Sequence, residues 1–246
     1  MRILFVTMLL LTFCACVFAQ QEYVGRYDAY TGFSYLDSSD VNLEQRGMNV
    51  QLGYNARRWL ALGIDYSVQF GKGTLVPNEL KPVDAAGINE LIYLGEHGYF
   101  SPITIPNNYN AYAPFDATTQ TYAAGPNFIC RHFKKATFFA HPTIGAIHEN
   151  ITVDHHDAFT QHVVLPALLG QLPNTTAIIR TVKPDDTTYF YGFGGGFELN
   201  TSKHVHIRTD VEFVHVNLFS SFLANSRNSV RFSVGPTFSF GKNVTR

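Results

Sequence analysis

The sequence predicts an all-β fold: an up-and-down antiparallel transmembrane β-barrel of eight strands, with ten left open. Three observations point there. Segments of strict apolar–polar alternation recur along the chain, the connections between them alternate short and long, and the final segment, "SVGPTFSF", ends on two aromatics. Period-2 alternation means a strand whose two faces meet different surroundings. Charged residues are only 15% of the chain, against about 25% in an ordinary soluble domain, so one of those faces is expected to meet something other than water.

The elements follow in order. Residues 1–19, "MRILFVTMLLLTFCACVFA", combine a cationic start at Arg2, an apolar run and small residues before Ala19. That is the pattern of a secretory signal peptide, and the run is too short for a membrane-spanning helix. Residues 20–246 are then expected to form one barrel domain. Cys14 and Cys16 fall in the leader, so Cys130 is left alone and no disulfide framework is expected.

Strands are expected at 26–36, 48–54, 59–70, 121–130, 137–148, 188–199, 205–215 and 233–240, the last extended backward by Val230 and Phe232. The second sets Met48, Val50, Leu52 and Tyr54 against Asn49, Gln51 and Gly53. The third sets Leu62, Ile64, Tyr66 and Val68 against Gly63, Asp65, Ser67 and Gln69. The fifth is apolar at Phe138, Ala140, Ile144 and Ala146, with its facing unresolved. The sixth carries the run Gly192, Gly194, Gly196 and Glu198 on one face, expected to pack against bulky lumenal neighbours.

Connections 55–58, 131–136 and 200–204 are short; 37–47, 71–120, 149–187 and 216–229 are longer. In an up-and-down barrel every second connection shares an end, so short turns form one rim and long loops the other, as in membrane barrels. A hairpin around 91–105 would raise the strand count to ten. The lysines fall outside the expected strands, and the polar face is mostly Gly, Ser, Thr, Asn and Gln, which suits a narrow lumen rather than bulk water.

The last strand carries a resemblance. Ser233, Gly235, Pro236, Phe238 and Phe240 occupy the positions of the closing-strand signal by which bacterial barrel-assembly machinery recognises outer-membrane proteins, although residues 241–246 follow it here. With the leader and the turn pattern, the chain resembles the small bacterial outer-membrane β-barrel superfamily that includes OmpA- and OmpX-type barrels, without a periplasmic domain. The resemblance implies export, assembly by that machinery and residence among outer-membrane lipids. It implies no single activity, because fold does not fix function.

Candidate sites come from the lumenal face, which offers Arg26, Asp28, Asp65, Glu198, Arg208, Asp210, Glu212 and Arg231. A barrel of about eight strands is just wide enough for side chains to fill, so these charges are expected to pair, with Arg208 and Arg231 bridging Glu198, Asp210 and Glu212. The loop "HENITVDHHDAFTQH" gathers His148, Glu149, His155, His156 and His162. Imidazoles and carboxylates are metal ligands, but without helical i, i+4 spacing the segment reads as a polar surface loop. His215 with Ser220 or Ser221 and Glu212 is the one Ser/His/acid grouping available.

The functional expectation is a structural or adhesive barrel with no enzymatic activity, no metal and no cofactor. It would contact an extracellular ligand or surface through loops 71–120 and 149–187. A narrow pore for water or small solutes is the second reading, a lipid-modifying enzyme the third. A net charge of −1 gives no case for nucleic acid.

Overall fold

Eight antiparallel strands close into one barrel in sequence order, β8 pairing with β1. They are β1 (Tyr27–Ser38), β2 (Leu43–Arg57), β3 (Leu60–Leu75), β4 (Ala113–Cys130), β5 (Ala136–Val153), β6 (Asp185–Asn200), β7 (Val205–Val216) and β8 (Arg227–Phe240). The computed structural model describes residues 23–105, 109, 112–154, 157–172, 183–225 and 227–244. The expected signal peptide lies outside the described residues, as do His155 and His156.

Two expectations about the connections are corrected. The segment 37–47 is not a long loop: β1 and β2 pair out to Ser38 and Leu43, joined by the 3₁₀ turn Ser39–Val41 and Asn42. Asn42, at φ 45°, takes the left-handed conformation that Asn tolerates better than most residues. Nor is there a hairpin at 91–105. Helix α1 (Pro82–Glu96) runs there instead, with Asp84, Gly87, Ile88, Leu91 and Gly95 buried at helical spacing. The longer connections, 76–112, 154–184 and 217–226, leave from the same end as the Ser39–Asn42 turn, opposite the short turns at 58–59, 131–135 and 201–204. Lys72 also falls inside β3 rather than in a loop, exposed at its upper end, 3.3 Å from Asp116.

Prolines interrupt the ladders at two seams. Pro126 of β4 and Pro142 of β5 stand opposite each other, and the β4–β5 ladder is interrupted between Ala124↔Ile144 and Phe128↔Ala140. Both keep their pairing on the other side, with Leu62 and Phe193. Two missing donors thus share one seam instead of breaking two. Pro236 does the same at the closure: the β1–β8 ladder skips from Tyr30↔Thr237 to Phe33↔Val234, while Pro236 stays paired with Ile207 of β7. A Cβ on Gly235 would lie 2.5 Å from the Gly32 Cα, so the chains approach closely beside that gap.

Alternation sorts the residues as the pattern requires. Met48, Val50, Leu52, Leu62, Ile64, Phe193, Val211, Phe213, Phe232 and Phe238 are exposed on the outer wall. The fifth strand resolves too: Phe138 and Ile144 are exposed, while Phe139, His141, Thr143 and Ile147 are buried inside. Near the short turns Tyr27 stacks with Phe240 and tilts against Tyr54, each at 5.7 Å between centroids. Farther up, Tyr66 and Tyr122 meet at 5.0 Å. An outward apolar band that carries aromatic residues is the character of a lipid-facing barrel wall.

Leu52, on that band, pairs with Ala29 and Ile64. Leu52→Arg is expected to cost about 2–4 kcal/mol of unfolding free energy in phospholipid vesicles. Glu44→Arg, at the upper end of the same strand, should stay within about 0.5 kcal/mol. Denaturant titration of the vesicle-folded protein checks both; equal effects would mean the band does not face lipid.

Candidate functional site

The lumen is filled by polar side chains in stacked levels. Nearest the short turns, Asn55 donates to the Asp28 carboxylate at 2.5 Å and to the Gly25 carbonyl at 2.9 Å. Ser239 of β8 donates to the same carboxylate. Arg131 reaches back from its turn to the Arg58 carbonyl at 2.6 Å and the Asn55 amide oxygen at 3.0 Å. Burial draws its guanidinium below the usual arginine range, against the raising influence of Glu198 and Asp28. It therefore acts as a floor to the lumen.

Above this, Arg208 donates from Nε to Glu198 at 2.7 Å and from Nη1 to Gln51 at 2.8 Å, with Phe139 facing its guanidinium at 5.0 Å. At the next level Arg231 bridges two carboxylates, Asp65 at 2.9 Å and Glu212 at 2.5 Å, and also donates to Ser67. Asn49 adds a donor to Asp65 at 2.8 Å, and Thr143 donates to Glu212. His141 Nε2 stands 3.1 Å from both Asp210 oxygens. The glycine run of β6 makes the room: a Cβ on Gly194 would lie 2.9 Å from the His141 ring, and one on Gly192 2.8 Å from Thr143 Oγ1.

Of the eight lumenal charges expected, seven face the lumen. Arg208 meets Glu198 and Arg231 meets Glu212. Asp210, however, is held by His141 and not by an arginine, and Asp65 joins Arg231. Arg26 is a correction. It precedes β1 and turns outward, 3.4 Å from the Tyr54 hydroxyl and over that ring; outside the ladder, strand parity does not constrain it.

An upper level escaped the sequence reading. Arg227 donates to both oxygens of Glu149, at 2.6 and 3.2 Å, and to Ser38 at 3.1 Å. Thr119 donates to Glu149 and receives from Gln45, at 2.8 and 2.7 Å. Glu149, which local composition assigns to a polar surface loop, is wholly buried in β5. The signal was available, since Glu149 continues the inward parity of His141 and Thr143, and Arg227 that of Ser229 and Arg231.

The long loops fold over this end as a cap. Residues 76–112 carry α1; residues 154–184 carry the helical turns Thr160–Val164 and Leu165–Leu168. Leu80 bridges to Leu223, Lys81 N–H donates to the Phe222 carbonyl at 2.8 Å and Ala224 N–H to the Glu79 carbonyl at 2.9 Å. Phe159 packs edge-on to Tyr109 and Phe100 at 5.3 and 6.2 Å. Burial pushes the Glu79 carboxyl above its ordinary value, opposed by donors from Val76 and Asn42.

Among the described residues the other sequence candidates do not assemble. His148 meets the Thr187 hydroxyl at 2.8 Å, and His162 is exposed on its helical turn. Among the described residues no group of three or more His, Cys, Asp or Glu side chains is placed to hold a metal ion. Glu212 points into the lumen, whereas His215, an odd number of residues away, lies on the other face with Tyr191 and bonds Asn228 at 2.8 Å. The barrel wall separates the proposed acid from the proposed base.

No family model matches the chain, and no curated protein does. Solved structures similar to it include neisserial surface protein A (9% identity, TM-score 0.48, covering 87% of this chain and 96% of that one). The outer membrane protein OprG from Pseudomonas aeruginosa is similar at 10% identity and TM-score 0.47, covering 91% and 100%. Ail of Yersinia pestis, in complex with the heparin analogue sucrose octasulfate, is similar at 12% identity and TM-score 0.45, covering 88% and 99%.

Arg231→Ala would leave Asp65 and Glu212 buried without their shared cation, and is expected to cost about 3–5 kcal/mol. Arg208→Ala should also lower the melting temperature clearly. Arg26→Ala, on the outer rim, should change stability by about 0.5 kcal/mol or less. Thermal and denaturant unfolding of the refolded barrel check the series, and an unchanged Arg231→Ala would overturn the bridging role.

Proposed function

We propose that this chain is an exported outer-membrane barrel whose work is structural and adhesive: a closed cylinder that holds a folded cap outside the membrane for contact with an extracellular ligand or surface. One observation carries the reading. Arginine–carboxylate bridges cross the lumen at successive levels, and a void beside Asp28, Asp65, His141, Arg208 and Arg231 measures about 40 Å³. That is room for a few waters, not for a solute path.

The outward apolar band and its aromatics support residence among outer-membrane lipids. The outward aromatics Phe238 and Phe240, with Gly235 and Pro236 at the β1–β8 closure, support a part for β8 as the strand read by the assembly machinery. The separation of His215 from Glu212 by the barrel wall favours the non-enzymatic reading over lipid modification.

Conductance tests the closed lumen. The protein reconstituted into planar lipid bilayers is expected to give no stepwise conductance, while running faster on a gel unboiled than boiled, as a detergent-resistant closed barrel does. Steady discrete conductance from the wild-type chain would overturn the plugged reading in favour of a narrow pore. Turnover of lipid A on incubation with the protein, read by mass analysis, would overturn the non-enzymatic one.

A further inference from the structure

Beneath the cap lies a cavity of about 120 Å³, walled by α1, the turns at 160–168, the upper ends of β3, β4 and β5, and the 219–223 turn. Its lining is almost wholly apolar and includes Leu80, Ile88, Phe115, Val164, Phe219 and Phe222. Asp84 lines the same cavity. It is 1% exposed, and among the described residues neither of its carboxylate oxygens has a hydrogen-bond partner. The other buried ions in the lining, Glu149 and Arg227, neutralise each other at 2.6 Å. Lys81, which precedes α1, is occupied at the Ser220 carbonyl, 2.5 Å away, and Lys183 is exposed at the edge.

An ionised carboxylate in apolar surroundings is costly unless a cation meets it. The position of Asp84 in the first turn of α1 offsets a little of that cost through the helix dipole. The aromatic rings in the lining add faces that attract a cation. The volume is close to that of an apolar protein cavity known to admit benzene, about 150 Å³.

We propose that this cavity is a binding site for a small organic ammonium ion: one ring or short chain buried against Ile88, Phe115 and Phe222, its charged nitrogen on the Asp84 carboxylate. A neutral molecule of the same shape would fill the apolar volume and leave Asp84 unpaired, so charge is the discriminating feature. The inference rests on the reading of the loops as a folded contact cap and gives that contact a chemical class.

The test uses the full barrel in phosphatidylcholine nanodiscs, titrated by calorimetry at pH 7 with benzylammonium chloride and with benzyl alcohol, empty nanodiscs being subtracted. Saturable one-to-one binding of benzylammonium is expected, at least tenfold tighter than benzyl alcohol. Asp84→Asn should reduce the two ligands to similar weak binding, and Ile88→Trp, which fills the cavity, should abolish both. Each variant's fold is checked by its unboiled gel mobility. Equal binding of ammonium and alcohol by the wild-type protein, or no saturable binding, would overturn the proposal, as would an undiminished preference in folded Asp84→Asn. Conductance is read separately, so a conducting barrel that still prefers benzylammonium would sink the plugged lumen and leave this site standing.

Discussion

A backbone amide in hydrocarbon has no water to turn to, so every donor and acceptor along the apolar band must be met by a neighbouring strand. That requirement makes the β1–β8 closure the contact on which the rest depends. Tyr27↔Phe240 through Tyr30↔Thr237, and Phe33↔Val234 onward, convert two edges into one continuous wall. Once the wall is closed, each residue has only two places to be, and parity decides which. Asp28, Asp65, Arg208 and Arg231 then have no route to bulk water sideways, and their pairing becomes obligatory. The prolines show how tightly the same requirement binds: Pro126 and Pro142 waste their missing donors on each other across one seam.

Parity was the part of this protein that its sequence displayed openly. Two periods of alternation around Leu52 and Ile64 were enough to orient β2 and β3, and the glycines at 192, 194 and 196 marked where the lumen is crowded. Parity fails where the ladder stops. Arg26 has the right parity for the lumen, but one residue before β1 it is free to lie on Tyr54. It was under-used at the other ends of the strands, where polar composition suggested loops. Thr119, Glu149 and Arg227 alternate correctly well past the apolar band, because the strands continue beyond it and keep pairing with one another.

The cap was harder to read for a different reason. A helix laid over a barrel mouth needs an apolar stripe only toward the mouth, and α1 also leaves Val83 and Tyr93 exposed, so its pattern is blurred. Pro82 in the first turn and the Gly87–Ile88–Leu91–Gly95 spacing were its helix signals. Gly95 has a packing reason as well: a Cβ there would fall 2.7 Å from both Ile105 and Phe159. The buried residue of most interest, Asp84, carries no sequence signal beyond a helix-start preference, since what sets it apart is the absence, among the described residues, of a hydrogen-bond partner for its carboxylate.

The bridges inside the barrel join residues far apart in the chain: Arg231 to Asp65, Arg208 to Gln51, Arg227 to Ser38, Ser239 to Asp28. None can form until the strands between them are in register and the wall is nearly shut. A charged lumen therefore gives little help early in assembly and a great deal at its end, when unpaired arginines and carboxylates would otherwise be sealed in a space of low dielectric. Misregister by one residue would turn Arg231 and Glu212 toward lipid and Phe232 and Phe213 inward, a state disfavoured on both faces at once. The lumenal network thus acts less as a source of net stability than as a check on register. That leaves the cap, its loops tied to one another by Leu80, Lys81 and Ala224, as the part of the molecule free to meet something outside.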